Sequence, residues 1–160
     1  IKKKALMIKI NVILNNIVWK KYLKNPQNFI EKKIKLINKK NRLFKKNSLI
    51  CSLLLSETKE IKKLNKKFRK KNKSTDVLSF PFYEKAKLIK KINIEKEVYL
   101  GDIIVNLSKI KNKNNKNKFK EELNKLWIHG LLHLLGYNHK SNSEYLQMQK
   151  LENKFFNFIK

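Results

Sequence analysis

The stretch HGLLHLLGYNH, from His129 to His139, decides how the C-terminal part of this chain folds. Two of its histidines stand four residues apart in an apolar run, and on a helix that spacing puts both rings on one face, about one turn apart. Gly136 can adopt a positive φ and end the helix, so the chain can turn back and bring His139 towards the same point. The stretch therefore predicts a helix, a glycine turn and three converging imidazoles.

All three histidines of the 160-residue chain lie in this stretch. Three neutral nitrogens with a fourth position open are the ligand set of a catalytic zinc site. A closed structural site would need a fourth protein ligand, and the single cysteine, Cys51, is far away in sequence. The alternative is two core histidines on an apolar helix and a third on a loop. The spacing favours a metal site for hydrolysis, with His129, His133 and His139 as ligands.

The spacing also matches the extended zinc-protease pattern HExxHxxGxxH at each histidine and at the glycine. Gly130 stands where the proteases have the glutamate that deprotonates the zinc-bound water. Peptide hydrolysis would lack its usual proton acceptor, which indicates another substrate. Gly130 also costs about 1 kcal/mol of helix propensity relative to alanine. Either a close approach of another group to the backbone or tight helix packing would explain it.

The net charge of +28, from 40 basic and 12 acidic residues, indicates a polyanionic partner such as nucleic acid. Only Arg42 and Arg69 are arginine, and asparagine and isoleucine are abundant. This looks like a genome-wide compositional bias, so part of the charge belongs to solvated faces. The charge supports an RNA partner without proving one.

Cys51 excludes an internal disulfide, and its apolar surroundings favour a small buried hydrophobe over a nucleophile. No apolar run approaches the roughly 18 residues of a membrane span. The N-terminal lysines and the apolar residues after them resemble a signal peptide faintly, but Lys9 and Asn11 interrupt the run and no small-residue cleavage site follows. We expect a cytoplasmic protein without a membrane partner, and one domain over residues 1–160.

Alternating apolar residues predict strands over residues 6–13, 77–82 and 98–107, and the apolar run 49–55 predicts a central strand. Pro81 fits an edge strand or the end of pairing. Between the last two alternating strands, residues 83–97 are expected to be a charged connection. Residues 109–118 are expected to be a loop or a frayed helix end.

Four helices are predicted from apolar stripes and capping residues. The first begins at Asn25 and Pro26, and the second, with Ser56 or Thr58 as its cap, carries Ile61, Leu64 and Phe68. The third spans residues 119–135, and the fourth opens with capping-box spacing from residue 141 to residue 144. The fold class is α+β: a small mixed four-stranded sheet with helices packed on it, and the metal site on a C-terminal helix and the following loop.

A second group of residues runs from LNKKFR (residues 64–69) into TDVLSFP (residues 75–81). Arg69 comes just past the apolar stripe of its helix, and a guanidinium can clamp two phosphate oxygens in a fixed plane. An ordinary surface arginine is the alternative. Asp76 and Asp102 are candidate partners for the histidine rings, or else turn and strand-end residues.

These stretches, together with LGDI at Leu100–Ile103, resemble the YbeY family of bacterial rRNA-maturation endoribonucleases, in the family's order and over nearly the whole chain. The resemblance implies a cytoplasmic nuclease with one zinc ion that cuts single-stranded RNA. It also implies roles in 16S rRNA 3′-end maturation and ribosome quality control. Ribosomal or small-subunit components are the implied partners, and no DNA partner is predicted.

Carried over by position, the resemblance makes His129, His133 and His139 the metal ligands and Arg69 the functional arginine. We predict Arg69 and His129 as catalytic residues. The family usually has aspartate before the third histidine, whereas this chain has Asn138, which weakens any carboxylate role there but leaves the ligand set untouched.

The mechanism we expect has zinc activating a water or a substrate oxygen, with Arg69 neutralising charge that grows on the phosphoryl oxygens. Tyr137 and Trp127 could stack on unpaired bases, although core packing suits Trp127 better. Two alternatives remain open. One is a non-catalytic ribosome-assembly factor with a structural zinc, and the other is a zinc peptidase, against which the missing glutamate argues.

Overall fold

The computed structural model describes residues 7–40 and 47–160. The N-terminal lysines, the first residue of the predicted first strand and Arg42 lie outside these ranges. Within them the chain forms four strands and five α-helices, in the order β1 (Met7–Leu14), α1 (Pro26–Lys40), β2 (Ser48–Ser56), α2 (Thr58–Arg69), β3 (Val77–Pro81), α3 (Lys85–Ile94), β4 (Glu97–Asn106), α4 (Lys116–Leu134) and α5 (Asn142–Phe158).

The strands form one mixed sheet in the order β1-β2-β4-β3. Strands β1, β2 and β4 are parallel, whereas β3 pairs antiparallel with β4 at an edge. The predicted mixed four-stranded sheet and the interior position of β2 are confirmed. Pro81 is the last residue of the edge strand β3, where its missing N–H removes no ladder hydrogen bond from a second neighbour.

The two faces of the sheet carry helices of different kinds. Alternate side chains of β2 and β4, such as Leu53 and Ile103, lie in the main core with the buried faces of α1, α4 and α5. On the opposite face Leu78 and Ile104 pack with Ile61 of α2 in a smaller cluster. The sheet therefore separates α2 from α4.

The charged connection expected over residues 83–97 is wrong, because most of it forms helix α3. Only Leu88 of this helix is fully buried, and Ile89 and Ile94 are exposed. The sequence therefore has no apolar stripe from which the helix could be predicted. The predicted cap of α2 is also wrong. Glu57 occupies the N-cap position without a side-chain bond, while the Ser56 hydroxyl accepts from the Asn15 amide at 3.2 Å.

The starts of α1 and α5 follow the predicted signals, whereas α4 begins at Lys116, three residues before the predicted start, with Asn115 as its N-cap. The Asn25 side chain accepts from the backbone N–H of Asn28, and Ser141 with Glu144 forms the complete capping box that opens α5. No helix in the described ranges has both the length and the apolarity needed to cross a bilayer.

Candidate metal centre

Helix α4 ends in a Schellman motif that turns the chain back over its own last turn. The N–H of Gly136 donates to the carbonyl of His133 at 3.0 Å, and the N–H of Tyr137 donates to the carbonyl of Leu132 at 3.0 Å. Gly136 has φ +92°, a conformation that L side chains rarely adopt. The motif redirects the backbone so that His139 lies beside the helix face that carries the other two histidines.

Gly130 lies where α4 packs most closely on the sheet. A Cβ atom at this position would stand 2.6 Å from Cγ2 of Ile103 and 3.1 Å from Oγ of Ser79. The Ser79 hydroxyl donates to the Gly130 carbonyl at 3.2 Å. Of the two explanations offered by the sequence, tight packing is the one the structure supports, and this contact holds the histidine-bearing end of α4 against β3 and β4.

The three histidine rings converge as predicted. His129 and His133 face each other with their Nε2 atoms 3.1 Å apart, and one nitrogen from each of the three rings lies within 4.8 Å of the others. Tetrahedral zinc with Zn–N bonds of about 2.0–2.1 Å places its ligand nitrogens about 3.3 Å from one another. The arrangement suits a small metal ion held by three nitrogens at the C-terminal end of α4.

The remaining ring nitrogens of the helical pair are held by other groups. Nδ1 of His133 lies 3.0 Å from the Tyr137 carbonyl, and Nδ1 of His129 contacts a Glu152 carboxylate oxygen. A carbonyl or an ionised carboxylate can only accept, so each Nδ1 must carry the hydrogen. In the neutral rings the lone pair is then on Nε2, the atom that faces the centre of the three-histidine cluster.

Burial favours the neutral state of His133. Desolvation, followed by the charges of its two histidine neighbours, lowers the pKa of His133 to about 4. A backbone hydrogen bond to Tyr137 opposes this shift, and the positive charge of Arg69 adds to it. A ring that stays neutral at physiological pH offers its lone pair to a metal without first losing a proton.

A cleft of about 340 Å³ opens beside His129. Its walls come from the start of β3, the middle of α4 and the facing side of α5, and they include Asp76, Lys125, Glu152 and Phe156. Of the three histidines only His129 lines this cleft, so the cleft adjoins one side of the cluster.

Arg69 is the last residue of α2 and is exposed to solvent. The helix stops there because Lys70 adopts a left-handed conformation with φ 54°. Phe68 packs edge-on against Phe80 of β3 at 5.5 Å between ring centroids, which holds the end of α2 at the open edge of the sheet. The positive charge of Arg69 makes only a small contribution to the lowered pKa of His133, and α2 and α4 lie on opposite faces of the sheet.

Asn65 gives the loop after Arg69 a fixed path. Its side chain is buried, and its Nδ2 donates to the carbonyl of Lys73 at 2.8 Å. The same residue's backbone carbonyl accepts from the N–H of Lys71 at 3.2 Å. The LNxxxR stretch therefore combines an asparagine that anchors the loop with an arginine carried at its start.

The two candidate aspartates have different surroundings. Asp76 caps the start of β3, where its carboxylate accepts from the N–H of Val77 at 2.8 Å, and it also lines the cleft beside His129. Asp102 accepts from the hydroxyl of Tyr99 at 2.5 Å. Because it pairs with Phe80 on the sheet face opposite α4, Asp102 is no partner of the histidines.

The aromatic candidates also differ. Trp127 is buried at 0 % exposure and donates from Nε1 to Asn124, so it is a core residue and cannot stack on a base. Tyr137 is half-buried with the Lys85 ammonium 5.2 Å from its ring centroid. Asn138 is exposed between Tyr137 and His139.

Sequence reasoning missed Glu152. It lies 23 residues after His129, on the next helix, and nothing in its local pattern distinguishes it from other glutamates on an amphipathic helix. Its one available signal is position: it lies between Met148 and Phe155, on the side of α5 that turns towards α4.

Comparisons with known proteins agree with one another. The family model described as Endoribonuclease YbeY matches residues 14–160. A protein from Pelagibacter ubique named Endoribonuclease YbeY is 41% identical over 156 residues, covering 96% of this chain and 97% of that protein. One of the same name from Bartonella henselae is 36% identical over 150 residues, covering 92% of this chain and 90% of that protein.

A solved structure also resembles the fold. The solution structure of a Thermotoga maritima protein superimposes with a TM-score of 0.58 at 29% identity, covering 94% of this chain and 89% of that one. The family match runs from the last residue of β1 to residue 160, and the relatives span nearly the full chain, so the comparisons agree on one assignment. This chain belongs to the YbeY family of endoribonucleases.

Proposed function

We propose that this protein is a zinc-dependent endoribonuclease, specific for single-stranded RNA, that acts in rRNA processing. The proposal covers 16S rRNA 3′-end maturation and ribosome quality control in the cytoplasm, with small-subunit components as partners. The observation that carries it is the convergence of three histidine nitrogens within 4.8 Å in a chain of an endoribonuclease family.

The donor set fits zinc. His129, His133 and His139 supply three imidazole nitrogens, and no fourth side chain from His, Cys, Asp or Glu joins this cluster in the described ranges. Three nitrogen ligands with an open fourth position are typical of catalytic rather than structural zinc. Zinc bound there would act as a Lewis acid towards a phosphoryl oxygen and would favour a nucleophile at neutral pH.

The chain's own residues would bind and orient the substrate. Glu152 and the Tyr137 carbonyl hold two of the histidine rings in one tautomer. Arg69, at the free end of α2, would pair with non-bridging phosphate oxygens and neutralise the charge that grows on them. The exposed lysines that dominate the surface would hold the RNA backbone in a salt-dependent way.

Peptidase activity is disfavoured by the position of Gly130. In the zinc proteases this place carries the general base. Here even a Cβ would stand 2.6 Å from Cγ2 of Ile103, so a glutamate could enter only if Ile103 or the helix moved. A purely structural zinc is disfavoured by the exposed His139 and by the open cleft at His129.

The deciding experiment measures bound zinc and cleavage of single-stranded RNA on the same samples. His133→Ala should lose both. Arg69→Ala should keep zinc but lose cleavage by about 100-fold or more, as when a donor to a developing charge is removed. Lys62→Ala, an exposed cation on the same helix, is the matched control and should cleave normally.

Two results would contradict the proposal. Zinc-loaded wild type that binds RNA but never cuts it would make the protein a non-catalytic assembly factor. Cleavage of casein in a parallel assay, with intact RNA, would make it a peptidase. A fully active Arg69→Ala enzyme would remove only Arg69 from the mechanism.

A further inference from the structure

A second groove lies at the opposite end of α4 from the histidines. It has a volume of about 700 Å³ and runs between the 3-10 turn Ile17–Lys21, the first half of α1 and the start of α4. Seven lysines and three asparagines line it, without any carboxylate. The groove is a continuous cationic surface that the metal centre does not use.

The lysine-rich composition of the chain does not by itself account for this surface. Seven of the fifteen lining residues are lysine, against 38 of 160 in the whole chain. The cleft beside His129 is the internal comparison, because its lining has one lysine, Lys125, and two carboxylates, Asp76 and Glu152. Cations are therefore concentrated in the groove, and anions are kept out of it.

Aromatic rings form part of the groove wall. Tyr22 stacks on Phe119 with centroids 5.0 Å apart and an interplanar angle of 21°. Phe29 is half-buried, and the ammonium groups of Lys33 and Lys120 lie 5.9 Å and 5.7 Å from its centroid. Lysines beside partly exposed rings are the combination that binds single-stranded nucleic acid without reading its sequence.

We propose that this groove binds the flank of a single-stranded RNA whose cleaved bond lies at the histidine cluster. The inference rests on the proposed nuclease function and adds a second contact to it. Phe119 and His129 are ten residues apart on one helix, about 15 Å along its axis. At about 3.4 Å per stacked nucleotide, that distance corresponds to four or five nucleotides. The groove therefore makes RNA binding depend on substrate length.

The test replaces three exposed groove lysines and compares them with three exposed lysines elsewhere. The groove variant is Lys24→Gln, Lys32→Gln, Lys116→Gln, and the control variant is Lys9→Gln, Lys90→Gln, Lys96→Gln. All six side chains are exposed, and both variants lose the same charge. Circular dichroism and thermal unfolding verify that both are folded.

Binding of the zinc-loaded full chain to an oligouridine of about 20 nucleotides, longer than usual single-strand footprints, is measured between 50 and 200 mM salt. On a single strand, each phosphate contact contributes about 0.7 to the slope of log binding constant against log salt concentration. Losing three lysines should therefore make this slope shallower by about 2 in the groove variant. Over a fourfold rise in salt, wild type and the control should then lose about 16-fold more affinity than the groove variant. KM for this RNA should rise in the groove variant, and less for an RNA of about four nucleotides.

Equal slopes for the two variants would overturn the inference while leaving the nuclease function standing, provided that wild type cleaves the RNA. Absence of RNA binding by wild type would contradict both the groove inference and the proposed nuclease function. Loss of binding to phosphatidylserine vesicles in the groove variant, with RNA binding unchanged, would also overturn it and would assign the groove to a lipid surface.

Discussion

The carboxylate of Glu152 should set how tightly the histidine cluster binds its metal. Glu152 contacts Nδ1 of His129, so it both fixes the ring tautomer and makes Nε2 a stronger donor. Removing such a partner weakens metal binding by about 10- to 100-fold in known sites. The side chains of His129 and Glu152 are 32% and 31% exposed, and water screens their interaction. We therefore expect Glu152→Ala to raise the zinc Kd by about tenfold, which is about 1.4 kcal/mol.

The assay is a competition titration of the metal-free protein against a chromophoric zinc chelator at neutral pH. Glu152→Gln keeps an oxygen that accepts from Nδ1 but removes the charge, so its Kd should fall between those of wild type and Glu152→Ala. Glu121→Ala is the matched control, because Glu121 lies exposed on α4 and its one ion pair within residues 7–40 and 47–160 is with Lys125 at 3.5 Å. A Kd for Glu152→Ala within twofold of the control would refute the reasoning.

Three further predictions concern the framework around the site. Gly130→Ala should destabilise the fold by about 1–3 kcal/mol in urea unfolding despite its better helix propensity, because the new methyl group meets Ile103; a more stable variant would contradict the packing. Gly136→Ala should lower the free energy of unfolding by about 1–2 kcal/mol, and Gly136→Asn should lower it by less, because asparagine tolerates positive φ. Equal losses in the two variants would mean that crowding by neighbouring side chains, and not backbone strain, causes the loss. Burial raises the pKa of Cys51 to about 12, so a thiol reagent at pH 8 should modify it only after unfolding. This thiol's contribution to stability is complete below pH 9 and is lost as the pH rises towards 12, which alkaline unfolding curves would reveal.

The parts of the fold that were predictable depend on neighbours in sequence. The alternation in β1 specifies which side of the strand is buried, and the four-residue spacing in α4 puts His129 and His133 on one side of the helix, because strand and helix periods are fixed by the backbone. Pro26 fixes φ at the first position of α1, and Gly136 adopts a positive φ just after α4. The start of α1 and the end of α4 could therefore be predicted from single residues. Helix α3 was missed because it buries one side chain, and a periodic signal needs several.

In the candidate site, too, the features set by neighbours in sequence were predictable and those set by distant residues were not. Its histidines lie within eleven residues, so helix periodicity and one glycine turn were enough to predict that they converge. The identity of Gly130 was visible, but its reason was not, because Ile103 and Ser79 reach it only through the packing of α4 on the sheet.

By itself, therefore, the sequence determined the trio of imidazoles, which follows from helix geometry over two turns, and the mixed sheet, which follows from the order of strand and helix patterns along the chain. Tertiary structure alone decided which groups surround the trio. Glu152 reaches His129 because α5 packs on α4, and the end of α2 that carries Arg69 lies beside β3 because Phe68 packs against Phe80. Such contacts arise from burying apolar faces far apart in the chain, and no local pattern encodes the partner that each face will meet.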